Sequence, residues 1–383
     1  MAGDDYGSGT LPAGVRSRMV PNGRGLEMHI LEAGFEDPTR PLVLLLHGFP
    51  ELAYSWRRLL APLADAGYHA VAPDQRGYGR TTGWSADYDA EIAPFRTLNL
   101  VRDALGLVAA LGYREVAAVV GHDFGSPVAG WCAVARPDVF RSAVLMSAPF
   151  GGPPALSFDT AGGPSEAAAP QPDLHEALGQ LERPRKHYQR YYTTREANEN
   201  MWHAPQGVHN FLRAYYHFKS ADWDGNHPFR LDARTADQFA LMPEYYVMDL
   251  DAGMAETVAP HMPSAAAIEA CRWLPDAELR VYSDEYERTG FQGGLNWYRA
   301  SASAESAAEL TLFAGRKLDV PSMFIGGASD WGVYQGPGAL ERMRDHACTD
   351  FRGMHLLDGA GHWVQQEQPD EAARLLLGFL ETR

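Results

Sequence analysis

The chain is punctuated by short, uninterrupted apolar runs that stop at glycine or a polar residue: "PLVLLLHG" (41–48), "HAVAPD" (69–74), "VAAVVGHD" (116–123) and "SAVLMSAP" (142–149). Runs without polar alternation suit strands covered on both faces, as in a parallel sheet. Between them the period lengthens. "YSWRRLLAPLADAG" (54–67) sets Trp56, Leu59, Leu60 and Leu63 on one stripe, and "LNLVRDALGLVAALG" (98–112) repeats the pattern, which predicts amphipathic helices. Strands alternating with helices predict βαβ units in a mostly parallel, doubly wound sheet, hence an α/β fold. Ahead of them, "LEMHI" (26–30) alternates apolar and polar residues, as a half-exposed edge strand does.

After Pro149 the rhythm breaks. "GGPPALSFDTAGGPSEAAAPQPD" (151–173) is dense in Gly, Pro and Ala and reads as a linker. From 174 to 300 the chain is rich in Tyr, Trp, His and Phe without buried strand runs, which predicts a mainly helical insertion. Strand and helix patterns resume with "VPSMFIGGASD" (320–330), "FRGMHLLDGAGH" (351–362) and the amphipathic "DEAARLLLGFLE" (370–381). The expected layout is one core domain, 1–150 and 301–383, interrupted by a cap at 151–300 with its linker at 151–173.

Composition narrows the function. With 383 residues and 45% hydrophobic content the chain can fill a sizeable core. Its 49 acidic against 33 basic residues give a net charge of -16, which repels phosphates and anionic lipid and argues against a nucleic acid partner. The opening "MAGDDYGSGTLPAG" lacks the basic start and apolar core of a signal peptide, and no apolar stretch approaches the roughly 20 residues of a membrane helix. A cytoplasmic protein without membrane insertion is expected, with a homodimer left open. Cys132, Cys271 and Cys348 have no pairing pattern and read as buried thiols. No phosphate-binding loop, dinucleotide fingerprint or zinc motif occurs, so neither cofactor nor metal is expected.

In an open α/β sheet, ligands sit outside the carboxyl ends of the strands. Asp123, Asp330 and His362 each follow an apolar run, in the order nucleophile, acid, histidine used by hydrolases of this architecture. Asp123 stands in "VVGHDFG" (119–125), where such enzymes usually present serine or cysteine. Asp330 is the first candidate to orient His362, ahead of Asp345, Asp350 and Asp358, because no acid ends the run "SAVLMSAP". "HGFP" (47–50) lies where an oxyanion loop belongs, with the backbone N–H groups of Phe49 and Phe124 as donors. His47 reads as a brace for its loop, and His122, next to the nucleophile, points elsewhere if Asp123 faces the pocket.

With "HGFPE" (47–51), "PDQRGYG" (73–79), "GHDFG" (121–125), "GGLNWYR" (293–299), "GGASDWG" (326–332) and "GAGHW" (359–363), the chain resembles the α/β-hydrolase-fold epoxide hydrolases from about residue 25 onward. "GGLNWYR" is the most specific of these. The resemblance implies an α/β-hydrolase fold with a helical cap, and an apolar or aromatic epoxide and water as reactants. It also implies that Tyr298 and a second tyrosine from "HYQRYY" (187–192) polarise the epoxide oxygen. Tyr191 is the choice for that second tyrosine, with Tyr192 and Tyr188 as alternatives. Phe124 departs from the tryptophan common after the nucleophile in that family.

The aspartate has a chemical reason. A serine that opened an epoxide would form an ether, and turnover would stop. A carboxylate forms an ester, which water can cleave at its carbonyl. The nearest rival is a haloalkane or haloacid dehalogenase, which uses the same nucleophile but wants an indole or arginine beside it to receive the halide; Phe124 offers no donor. A second rival is a non-catalytic ligand-binding protein of this fold, which has no need of Asp123, Asp330 and His362 together.

Overall fold

The computed structural model describes residues 6–7, 9–156 and 173–382. Most of the 151–173 linker lies outside them. Ten strands occur among the described residues: β1 (Arg16–Pro21), β2 (Glu27–Ala33), β3 (Leu42–Leu46), β4 (His69–Pro73), β5 (Ala118–His122), β6 (Ala143–Met146), β7 (Arg185–His187), β8 (Val247–Asp249), β9 (Ser322–Gly327) and β10 (Phe351–Leu357). Eight of them form one sheet in the order β1-β2-β4-β3-β5-β6-β9-β10. From β4 to β10 every pairing is parallel, whereas β1 and β2 run antiparallel. The central strands β3, β4, β5 and β6 are buried along their whole length, as their unbroken apolar runs require.

One strand expectation needs correcting. "LEMHI" belongs to β2, which is not an edge: it pairs with β1 on one side and β4 on the other. The edge is β1, whose "RSRMVP" carries two arginines. They reach across the ladder to Glu32, a buried carboxylate that also holds His69 Nε2 at 3.0 Å. Of the polar positions that suggested an edge, Glu27 is exposed, while His29 is buried and meets Asp74 Oδ2 (2.7 Å) and Ser17 Oγ (2.8 Å). A charged edge also discourages pairing with another chain.

The helices Arg57–Asp65, Thr97–Ala110, Gly125–Ala135 and Pro369–Glu381 pack on the sheet, and Trp56, Leu59, Leu60 and Leu63 are buried as the stripe predicted. Between β6 and β9 the chain leaves the sheet. Among the described residues this excursion is mainly helical, with Gly207–Lys219, Asp276–Thr289 and Gln292–Ser301 its longest helices. The aromatic-rich sequence showed no strand there, yet β7 and β8 form a short antiparallel ladder.

Buried polar contacts seat this excursion on the sheet. The Tyr216 hydroxyl donates to Pro50 O (2.9 Å), Tyr286 to Glu51 O (3.1 Å) and Trp297 Nε1 to Arg76 O (2.8 Å). Buried Arg57 donates to Gln366 Oε1 (2.8 Å) and Trp273 O (3.0 Å). Each such bond contributes only about 1 kcal/mol net, but together they set the register of the excursion over the strand ends. Of the three cysteines, Cys132 and Cys348 are buried as expected, while Cys271 is half-exposed on the helical excursion. No helix among the described residues is long and apolar enough to cross a membrane.

Candidate active site

Asp123 sits between the end of β5 and helix Gly125–Ala135 with a left-handed φ of 50°, the sharp elbow that projects a side chain above the sheet. The elbow closes tightly, since a Cβ on Gly121 would collide with the Gly125 carbonyl. Asp123 is buried, and its Oδ1 accepts the Phe49 N–H at 2.9 Å. The Phe124 nitrogen borders the same spot: a Cβ on Gly48 would strike both it and Asp123 Oδ1. The Phe49 N–H is therefore bound to one carboxylate oxygen, and the Phe124 nitrogen lies close by. The other oxygen, Oδ2, lies 3.3 Å from His362 Nε2.

His362 follows β10, where half-buried Glu367 accepts the N–H groups of Gly361 (2.9 Å) and Trp363 (2.9 Å) and so fixes the loop. Its Nδ1 lies 3.1 Å from Asp330 Oδ1 and 2.9 Å from Ser147 Oγ. Ser147 Oγ also donates to Asp330 Oδ2, and Gly332 N–H donates to Asp330 Oδ1 at 2.7 Å. With the serine proton committed to Asp330, the contact to Nδ1 requires the imidazole proton on that nitrogen. Nε2 then faces Asp123 Oδ2.

The charges follow from this packing. Burial raises the Asp123 carboxyl, but the nearby His362 and then the Lys219 and His122 charges hold it well below the usual carboxylate range. Asp330 is likewise low, because His362, Ser147 and the Gly332 N–H outweigh its burial. For His362, burial and Lys219 push down while Asp330 and Asp123 push up, and the net shift is upward.

The structure brings Asp123, Asp330, His362, Phe49, Phe124 and Tyr298 together, but it places Tyr191 elsewhere. The Tyr191 ring lies 4.5 Å from Lys186 Nζ, and its hydroxyl is influenced by Glu196 and a backbone hydrogen bond from Met254, with no part played by Asp123. Tyr188 is the residue of this helix that lies toward Asp123 and Tyr298, with its hydroxyl donating to Gln335 Oε1 (3.3 Å) and accepting from Gln189 Nε2 (3.3 Å). Burial and then the Asp123 charge raise the Tyr188 phenol, and the same two causes in the same order raise Tyr298. Their rings stand 6.0 Å apart. Helical geometry supplies the reason: in the short helix Tyr188–Tyr192, positions i and i+4 share a face, so Tyr188 and Tyr192 point inward and Tyr191 turns aside. Tyr192 spends its hydroxyl on Tyr215 (3.3 Å) and packs its ring on Phe49 and Tyr298. The Tyr298 hydroxyl has no hydrogen-bond partner among the described residues.

Two features escaped the sequence reading. Ser147 lies in "SAVLMSAP", a run noted only for lacking an acid, and its φ of 66° turns the hydroxyl to the Asp330–His362 pair. Lys219 ends helix Gly207–Lys219 and is buried beside the site. His122 and His47 act as braces: His122 joins Glu51 Oε2 (2.6 Å) to the His362 carbonyl (2.7 Å), and His47 Nε2 accepts the Gln75 N–H (3.1 Å).

The parallel sheet, the elbow and the histidine loop define an α/β hydrolase, and the chain matches the alpha/beta hydrolase fold family over residues 41–369. Within that fold the chain belongs to the epoxide hydrolase family. It is 34% identical to epoxide hydrolase B of Mycobacterium tuberculosis, with 94% of this chain and 97% of the relative covered. An epoxide hydrolase from an endophytic Streptomyces superposes with a TM-score of 0.74 at 32% identity, covering 97% and 96% of the two chains. Potato (Solanum tuberosum) epoxide hydrolase I gives 0.71 at 28%, covering 96% and 100%.

Proposed function

We propose that this protein converts an epoxide and water to a vicinal diol through an ester on Asp123. The observation that carries the reading is the division of labour between the two Asp123 oxygens: Oδ1 rests on the Phe49 N–H, while Oδ2 carries no backbone donor. Oδ2 attacks an oxirane carbon, and the bond from that carbon to the ring oxygen breaks. Tyr188 and Tyr298 donate hydrogen bonds to the departing oxygen and supply its proton. Both phenols are raised by burial and by Asp123, so they remain protonated at neutral pH.

In the second step His362 Nε2 takes a proton from water as the water oxygen adds to the ester carbonyl. Oδ1 becomes the oxyanion, held by Phe49 and Phe124; such donors are typically worth roughly 2.7 to 4 kcal/mol each. Collapse breaks the bond between the Asp123 carbonyl carbon and the diol oxygen, which leaves with the proton from His362, and the proton left on the regenerated Asp123 carboxyl returns to the tyrosinate formed in the first step. Asp330 and Ser147 keep the imidazole oriented throughout. The helical segment within 151–300 acts as the cap that closes the pocket over the core, 1–150 and 301–383. Phe124 lies 5.3 Å from Trp297 and 5.0 Å from Tyr298, ring to ring, and gives the pocket an apolar wall suited to an apolar or aromatic epoxide.

Intact-mass analysis of a His362→Gln variant after exposure to epoxides tests this function. An adduct on Asp123 is the expected result.

A further inference from the structure

Lys219 is 3% exposed, and its ammonium is ringed by Tyr246 (5.0 Å), Tyr215 (5.3 Å), Trp363 (5.4 Å) and Tyr245 (5.8 Å). Among the described residues its Nζ forms neither a hydrogen bond nor an ion pair. Placing a cation in such a site is unfavourable unless nearby negative charge compensates. The buried carboxylate on which its charge acts is Asp123, and Asp123 and Asp330 flank His362.

The lysine is also fixed relative to the imidazole. The Lys219 carbonyl accepts the His362 N–H at 2.9 Å. Glu367 Oε2 clamps both chain segments, accepting the N–H groups of Ala221 (2.8 Å) and Gly361 (2.9 Å). Trp363 completes the link, with its ring 4.6 Å from that of His362 and also forming one wall of the ammonium cage. These contacts fix the two residues against each other.

We propose that Lys219 is a positioning residue for the second half-reaction: its caged ammonium opposes the pull of the Asp330 carboxylate on the imidazole, so that His362 Nε2 is unprotonated when water attacks the Asp123 ester. This inference rests on the reading of His362 as the base. The requirement is specific to the order of events. Once Asp123 is esterified, the Asp330 carboxylate still favours the protonated imidazole, and a protonated His362 cannot activate water. A cation close by, but not bonded to either acid, opposes that without competing for the hydrogen bonds that orient the ring. Burial and then Lys219 are the two largest downward influences on His362. The other groups facing the imidazole are His122, 5.1 Å away ring to ring with Glu51 behind it, and Glu367 on the same loop. None of these is a cation caged by aromatic rings.

The test uses Lys219→Met, Lys219→Gln and Lys219→Arg in the full chain. Alkylation and ester hydrolysis are measured separately by rapid quench, from low to high pH, with whichever of a set of aryl and alkyl epoxides the parent enzyme turns over fastest. Methionine matches the stem length and suits an aromatic cage; glutamine serves if methionine impairs folding. The expected result is that Met and Gln slow hydrolysis several-fold at neutral pH, raise the steady-state level of Asp123 ester and move the acid limb of the hydrolysis rate to higher pH, while Arg restores the parent profile. An acid limb that stays in place in Met and Gln, or an Arg variant as impaired as Met, overturns the inference in favour of simple packing. His362→Gln is run in parallel. If it traps ester while the Lys219 variants leave the acid limb in place, only the Lys219 inference falls; if it turns over without ester, the base assignment falls with it.

Discussion

Ser147 Oγ lies 2.9 Å from His362 Nδ1 while donating its proton to Asp330, so a serine at the end of β6 ties together an acid and a histidine far away in sequence. Replacing it with alanine removes a hydrogen bond to a buried carboxylate and one of two contacts that orient the ring. Ser147→Ala is expected to slow ester hydrolysis several-fold and leave the alkylation rate near that of the parent. Single-turnover kinetics with separate observation of the two steps check this.

The two inward tyrosines act on the first step. Tyr188→Phe and Tyr298→Phe each remove a proton donor from the opening ring, and a loss of about 10²-fold in alkylation rate is expected, in the range usual for general acid catalysis. Tyr191→Phe, beside Lys186 and away from Asp123, should alkylate at close to the parent rate. Pre-steady-state quench experiments on the three variants discriminate the assignments, and a Tyr191→Phe variant as impaired as Tyr188→Phe would reverse them.

Gly48 is required for lack of a side chain. A Cβ there would strike Asp123 Oδ1, Asp123 Cβ and the Phe124 nitrogen, none of which is a flexible chain end. Gly48→Ala must displace the nucleophile or its oxyanion donors, and misplacement on the scale of an ångström costs about 10²-fold in rate. The expected variant folds, as judged by circular dichroism, but loses turnover by about that factor.

Glu32 links stability to acid pH. Burial raises its carboxyl, but the hydrogen bonds from His69, Arg18 and Arg16 outweigh burial and hold it down at about 2. A depressed carboxyl contributes stability above its unfolded value of about 4.3 and loses that contribution as pH falls through the folded value. Glu32→Gln should therefore be less stable than the parent at neutral pH, with the difference shrinking as the pH falls toward about 2. Urea denaturation at several pH values measures it.

Much of the architecture was legible because it depends on local pattern. The runs that became β3 to β6 and the elbow around Asp123 are continuous segments whose burial and turn chemistry are written in neighbouring residues. Asp330 and His362 were legible because strand ends converge in an open sheet. What escaped depends on contacts across the fold. His29 made β2 look like an edge, since its partners Ser17 and Asp74 lie on or beside other strands. Ser147 gave no signal, because serine after a strand is ordinary until its left-handed backbone aims it at a pair 183 and 215 positions away. The choice of Tyr191 over Tyr188 turned on facing within one helical turn, where Tyr192, spaced i+4 from Tyr188, was the available cue. Lys219 was hidden for the opposite reason: a lysine in an aromatic cap reads as surface charge until its burial is known.

The central claim is that Asp123 forms an ester which His362 then directs water to cleave. Expose His362→Gln to a panel of epoxides and haloalkanes, weigh the intact protein and map the modified peptide. The account predicts a persistent gain equal to the whole epoxide, located on Asp123. No adduct, an adduct on another residue, or preferential gain of an alkyl group without its halide would contradict it.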